Sequence, residues 1–218
     1  MGGVFVLATL PMKNDELRDK QIRHLTTASE YALENDTNVP KYIAMLPRDE
    51  ADASSIWVFE EYASREVLDK HMEWQPVKDL VAFMTAASPL SGAPTVLELP
   101  ITDLSFTREE IKQHADPYIA VAEIEYHPDT IPEALPYWKA VVESSRKESG
   151  TLAYGVYRHP SDSNRIFTVE IYESKEYLWD VHAKSDAVAE NVKNTKNMRK
   201  GLKHTYLRRM GGHLYPKL

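Results

Sequence analysis

Two histidines in this chain carry the same company. His71 follows Tyr62 by nine residues and His182 follows Tyr172 by ten, each tyrosine stands two residues after a glutamate (Glu60, Glu170), and each histidine has a tryptophan three residues away (Trp74, Trp179). An imidazole against an apolar wall suits a general base, because its unperturbed proton affinity lies near neutrality. Tyrosine hydroxyls steer a phenolic or enolic substrate, while a carboxylate orients the histidine or polarises a water. A plainer reading stands beside this one. In it the histidines pack against backbone carbonyls, and Glu60 and Glu170 satisfy backbone amides or a lysine at a strand end, next to a helix N-terminus that attracts negative charge. For the glutamates the plainer reading is preferred. Trp57, Trp138, Tyr42, Tyr154 and Tyr157 serve equally as core or as an aromatic lining.

Much chemistry is excluded by composition. The chain has no cysteine, so thiol nucleophiles, disulfides, iron–sulfur clusters and cysteine-bound zinc are ruled out. It has no HExxH, no closely spaced His-x-His with a carboxylate, no GxGxxG and no phosphate-cradling loop, so metal and nucleotide sites lack support. A net charge of −7 with scattered lysines and arginines argues against a nucleic-acid surface. The one basic cluster, 193–209, reads as a solvated helix face and an edge strand. No apolar stretch approaches the ~20 residues that span a bilayer, and the N-terminal GGVFVLATLPMKND has no basic region ahead of its apolar run. The expectation is a cytoplasmic protein without membrane or nucleic-acid partners.

The elements that must hold these residues occur twice. IWVFEEYASREVL (56–68) and IFTVEIYESKEYL (166–178) share six identities in thirteen positions, where average usage gives about one. Val4 to Leu10 and Tyr118 to Glu125 read as strands; Asn14 to Asn35 and Ile131 to Glu148 show helical spacing of apolar residues. Gly150 is placed to close the second helix in a left-handed conformation. Val39 to Leu46 and Thr151 to Arg158 read as second strands. A polar loop of nine residues (47–55) or seven (159–165) then leads to the third strand, ending at Tyr62 or Tyr172. A length change confined to a loop is what a structural repeat tolerates. Ser64 and Ser174 are placed as helix N-caps. The helix that follows is interrupted by Pro76 in one copy and by a Ser185-Asp186 restart in the other. Thr95 to Ile101 and His204 to Met210 close the two copies.

The order is β-α-β-β-α-β twice, an α+β ferredoxin-like arrangement with both helices on one sheet face. Two such sheets packed on each other would make an α+β barrel within one chain. The boundaries are 1–101 for the first repeat, 102–117 for a connector and 118–218 for the second. Helical geometry puts His71 three residues after Leu68 and His182 four after Leu178, so both imidazoles should face inward.

At this point the residues resemble a known family. Glu148-Ser-Gly-Thr-Leu-Ala-Tyr154-Gly-Val-Tyr157-Arg158, a polar turn, Glu170-x-Tyr172-x-Ser174 and His182 are similar to the antibiotic biosynthesis monooxygenase domain of the dimeric α+β barrel superfamily. The first repeat keeps Tyr42, Glu60-x-Tyr62-x-Ser64 and His71 but lacks the glycine after its first helix. The resemblance implies an intramolecular pseudo-dimer that can pair again as a homodimer, and a cofactor-independent monooxygenase of secondary metabolism. Its substrate would be an electron-rich aromatic or polyketide-type molecule (a phenol, anthrone or quinol) oxidised by dioxygen. His182 or His71 would be the base, Tyr172 or Tyr62 would steer the substrate, and Trp179, Trp74, Glu170 and Glu60 would contact it. The fuller match favours His182 and Tyr172. Haem held by one histidine stays open, because superfamily members bind it so. Two other readings remain: an oxygen-independent isomerase, cyclase or decarboxylase of an enolisable substrate, and a non-catalytic small-molecule-binding barrel.

Overall fold

The chain is described by a computed structural model over residues 2–49 and 54–216; residues 50–53 of the first repeat's nine-residue loop lie outside them. In the first repeat, strand β1 (Val4–Pro11) leads to helix α1 (Asp15–Asn35), strands β2 (Lys41–Pro47) and β3 (Ser55–Tyr62), helices α2 (Arg65–His71) and α3 (Gln75–Ala87), and strand β4 (Thr95–Pro100). Local chemistry sets these limits. Asn14 caps α1 by accepting from Leu17 N at 2.9 Å, Ser64 caps α2 by accepting from Val67 N at 3.4 Å, and Pro76 sits in the first turn of α3, where its missing N–H is harmless. Helix α1 buries Ile22, Leu25, Ala28 and Ala32 along one stripe.

The second repeat begins earlier than its first long strand. Ser105–Thr107 form a short strand, β5, ahead of a 3-10 turn at Glu109–Gln113; then come β6 (Tyr118–Tyr126), α4 (Ile131–Ser145), β7 (Thr151–Arg158), β8 (Arg165–Tyr172), α5 (Lys175–Asp180), a 3-10 turn at His182–Lys184, α6 (Asp186–Thr195) and the long strand β9 (Arg199–His213). The expected connector 102–117 therefore adds a strand to this unit. β5 pairs with β7, Arg108 N donates to Leu152 O at 2.7 Å, and the Phe106 ring lies under the Arg146 guanidinium at 4.7 Å.

Two units result, 1–100 with 207–218, and 101–206. In the first, β1 lies between β4 and β3, β2 pairs with β3, and all contacts are antiparallel, the ferredoxin-like order. The Leu207–His213 part of β9 completes this unit by pairing with β2 from Pro47↔Leu207 to Tyr42↔His213. In the second, β8 lies between β6 and β7, and β9 runs beside β6. The sequence boundary had assigned all of 118–218 to the second repeat; β9, at 15 residues, is long enough for its last part to lie with the first. Both sheet faces are apolar and buried. One carries Val6, Ala8, Tyr42, Ala44, Val58 and Tyr62 in the first unit, packed with Leu25 and Ala28 of α1, while Phe5, Leu7, Ile43, Met45 and Phe59 of the same strands point the other way.

Gly150 does not cap α4 as its place in the sequence implied. The helix ends at Ser145 with Arg146 in a right-handed conformation, and among the described glycines only Gly212 has positive φ, at 95°. Space requires Gly150 instead: a Cβ there would come within 2.5 Å of the Tyr177 ring and 2.7 Å of the Glu173 carboxyl carbon.

Candidate functional site

Strand register builds the floor of a site in the second unit. Tyr154 of β7 and Ala120 of β6 both lie opposite Glu170 of β8, so three residues stand abreast on the face that α4 covers. Period two adds Thr168 and Tyr172 on either side of Glu170. Both donate to it, Thr168 Oγ1 to Oε1 and Tyr172 Oη to Oε2, each at 2.7 Å. The preferred expectation, that Glu170 serves backbone amides or a lysine, is replaced by these hydroxyl contacts. The first unit repeats the arrangement: Tyr62 Oη donates to Glu60 Oε2 at 2.5 Å. Burial, with the adjacent carboxylates, drives the hydroxyl proton affinities of Tyr42, Tyr62, Tyr154 and Tyr172 up, so none of these phenols ionises near neutrality.

Both histidines are buried, as the leucine spacing predicts, at 2% exposure for His71 and 4% for His182. Their local frames differ. His71 is the last residue of α2, whereas α5 ends at Asp180 and His182 opens the 3-10 turn. The break after α5 absorbs the extra residue between Tyr172 and His182. Each imidazole still meets the equivalent tyrosines, His71 with Tyr42 and Tyr62 at 5.4 and 5.2 Å between ring centroids, His182 with Tyr154 and Tyr172 at 5.5 and 5.1 Å.

One partner separates the copies. His182 Nδ1 lies 2.9 Å from Glu148 Oε2, and Thr151 Oγ1 donates to the same oxygen at 2.6 Å. Burial alone would raise the Glu148 carboxyl, but these hydrogen bonds hold it below the usual carboxylate range. An ionised Glu148 accepts Nδ1–H and leaves Nε2 of His182 as the nitrogen that takes a proton. In the first unit the position 112 residues before Glu148 is Asp36, by the offset that relates Tyr42 to Tyr154. Its shorter carboxylate is taken up locally, with Oδ1 accepting from Asn38 N at 2.9 Å and Asn38 Nδ2 at 2.8 Å. His71 Nδ1 is buried without a hydrogen-bond partner among the described residues, and desolvation lowers the His71 pKa to about 4. Burial raises that of Glu60 to about 7, against the hydrogen bond from Tyr62.

A cavity of about 280 Å³ opens beside His182. Ala120, Ala122 and Ile124 of β6, Trp138 and Val141 of α4, and Val188 of α6 make its wall mostly apolar, with Tyr154, Glu170, His182, Asn191 and Arg199 as the polar points. Its size lies near the lower end of small-molecule sites, roughly 300–1,000 Å³. Trp179 and Leu202 line it while remaining 45% and 47% exposed, which puts them at its mouth.

Of the residues singled out from sequence, His182, Glu170 and Trp179 come together here. Tyr172 is fully buried behind Glu170 and does not line the cavity, whereas Tyr154 does. In the first unit His71, Tyr62, Glu60 and Trp74 also cluster, Trp74 edge-on to His71 at 4.8 Å. Sequence reasoning gave Glu148 no role, because it stands 34 residues from His182 and only the fold joins them. It also gave Arg199 to a solvated basic face. Among the described residues no three His, Asp or Glu side chains gather as metal ligands, and no helix is long and apolar enough to cross a membrane.

Residues 117–194 match the sequence model of the antibiotic biosynthesis monooxygenase family. Among solved structures, the chain is similar to a candidate monooxygenase from Fusobacterium nucleatum subsp. nucleatum ATCC 25586, at 18% identity and TM-score 0.84, covering 100% of this chain and 99% of that one. A candidate monooxygenase from Lactobacillus acidophilus NCFM gives 14% identity and TM-score 0.82, covering 99% and 98%. An anthrone oxidase-like protein gives 14% and 0.64, covering 100% and 97%. At these identities the likeness concerns the fold, and it extends over both repeats. No curated protein matches the sequence.

Proposed function

We propose that this protein is a cofactor-independent monooxygenase that oxidises an electron-rich aromatic or polyketide-type molecule in the cavity beside His182; the match of residues 117–194 to the antibiotic biosynthesis monooxygenase family model supports this reading. The observation that carries the reading is the Glu148–His182 pair at the wall of an apolar cavity. Glu148 fixes the imidazole and stabilises the imidazolium once a proton arrives, the arrangement that makes a histidine an effective base.

The chemistry follows from a substrate with an acidic C–H or O–H. His182 Nε2 removes that proton, and the resulting carbanion or phenolate gives one electron to dioxygen. The radical pair recombines to a hydroperoxide. For an anthrone-type methylene, loss of water from this species leaves a carbonyl, so one oxygen atom stays on carbon and the other leaves as water with the two substrate hydrogens. Exclusion of water by the lining strengthens the hydrogen bonds that hold the anion. Tyr154 is the hydroxyl placed to meet the substrate; Tyr172 acts through Glu170. Trp179 guards the mouth. Among the described residues the first unit's His71 has no carboxylate partner, so this reading puts turnover in the second repeat.

Oxygen uptake by the purified protein on anthrone-type substrates tests the proposal, with metal analysis and labelled dioxygen. The expected result is one dioxygen consumed per product, one labelled atom retained in it, and a loss of about 10²–10⁴-fold on His182→Ala with none on His71→Ala. Turnover at the same rate without oxygen overturns oxidation and favours the isomerase, cyclase or decarboxylase reading, which the same Glu148–His182 base supports.

A further inference from the structure

Base chemistry leaves one end of the cavity unused. Arg199, the first residue of β9, is the only lysine or arginine among the lining residues. Its Nη2 donates to Asn191 Oδ1 at 2.6 Å and Thr195 Oγ1 at 2.7 Å, both from α6, and its guanidinium lies over the Trp138 ring at 5.5 Å to the centroid. The group is therefore pinned by two oxygens and one aromatic face. Neither oxygen carries a charge, and Arg199 pairs with no carboxylate among the described residues. Its Nε is buried without an acceptor among the described residues, as is Nδ2 of Asn191, itself 2% exposed. The cavity's own carboxylate, Glu170, is engaged by the hydroxyls of Thr168 and Tyr172. Arg199 is half-buried in this largely apolar wall and no carboxylate contacts it among the described residues, so an anion brought to the fork gains a direct charged partner.

We propose that the occupant of this cavity is an aromatic carboxylic acid, its carboxylate on Arg199 and its ring among Trp138, Tyr154 and Leu178. This rests on the cavity being the substrate site and names the substrate class. A carboxylate supplies the missing charge and matches the planar donor fork, forming charge-assisted hydrogen bonds of the stronger kind. The surrounding wall takes the ring, and the Glu170 carboxyl in the same lining disfavours the reversed orientation. Asn191 and Thr195 are positioning residues that keep the fork from swinging out.

Calorimetric titration of the full chain under anaerobic conditions with naphthoate, methyl naphthoate and naphthol tests this. Acid and ester share the ring and differ in charge. Naphthoate is expected to bind about ten-fold or more tighter than the other two, the equivalent of one good charged contact. Arg199→Met should erase the difference while leaving the ester and naphthol where they were, and His182→Ala should preserve it. Equal affinities, tighter binding of the ester, no binding of the acid, or an unchanged preference in Arg199→Met would each overturn the proposal. Should Arg199→Met fail to fold, the comparison on the native protein still decides. Because no oxygen is present, failure here is separable from failure of the monooxygenase reading, which is judged by oxygen uptake alone.

Discussion

Single side chains distinguish two otherwise parallel copies. Glu148 has the length to reach His182, and Asp36 is spent on Asn38. Glu148→Gln keeps the shape and removes the charge that stabilises an imidazolium, so kcat should fall about 10²-fold with little change in KM, read by steady-state oxygen uptake. In the first unit the buried pair shows itself in stability. Glu60 holds its proton up to about pH 7 in the folded chain, against an ordinary 4.5, so the fold loses stability as pH rises between these values. His71 resists protonation down to about 4 against an ordinary 6.5, so the fold loses stability as pH falls through that window. Glu60→Gln should thus raise stability on the alkaline side by on the order of 1–2 kcal/mol, the partial exposure of Glu60 discounting the full effect, and change little below the acid window. Denaturant titrations at the two pH extremes would check both signs.

At the level of elements, register does the assembling. Tyr154, Glu170 and Ala120 meet because β7, β8 and β6 pair in one alignment, and a slip of one residue would turn all three to the other face. The caps and helix breaks were readable from local sequence, since Ser64, Ser174, Pro76 and Ser185 act on their immediate neighbours. Gly150 was misread for the same reason. Its glycine signal suggested a left-handed cap, but the constraint comes from Tyr177, across the unit in sequence and 2.5 Å from any added Cβ. Gly150→Ala should overpack this contact and cost about 1–3 kcal/mol, measurable as a lowered midpoint of chemical unfolding.

For the molecule as a whole, the last residues of the chain belong with the first repeat. His213 Nδ1 lies 2.8 Å from Ser29 Oγ and its Nε2 2.9 Å from Val39 O, while Ser29 Oγ donates to Tyr42 O at 2.6 Å. This buried chain ties the Leu207–His213 segment to α1 and β2. Deleting 207–218 should therefore expose amides of the first unit, β2 above all, to faster hydrogen exchange, and leave the protection of β6 and β8 largely intact. Equal loss in both units would show that the segment stabilises them alike.

The repeat, its helix caps, its strand alternation and the inward direction of both histidines were legible in residue order, because each depends on periodicity or on contacts within a few positions. The Glu148–His182 pair, the turn of Arg199 into the cavity, the Tyr172 hydroxyl hidden behind Glu170 and the return of the C-terminal strand to the first unit were decided only in three dimensions. Each depends on residues far apart in the chain, and side-chain length, register and enclosed volume become defined only once the strands have paired and the helices have closed over them.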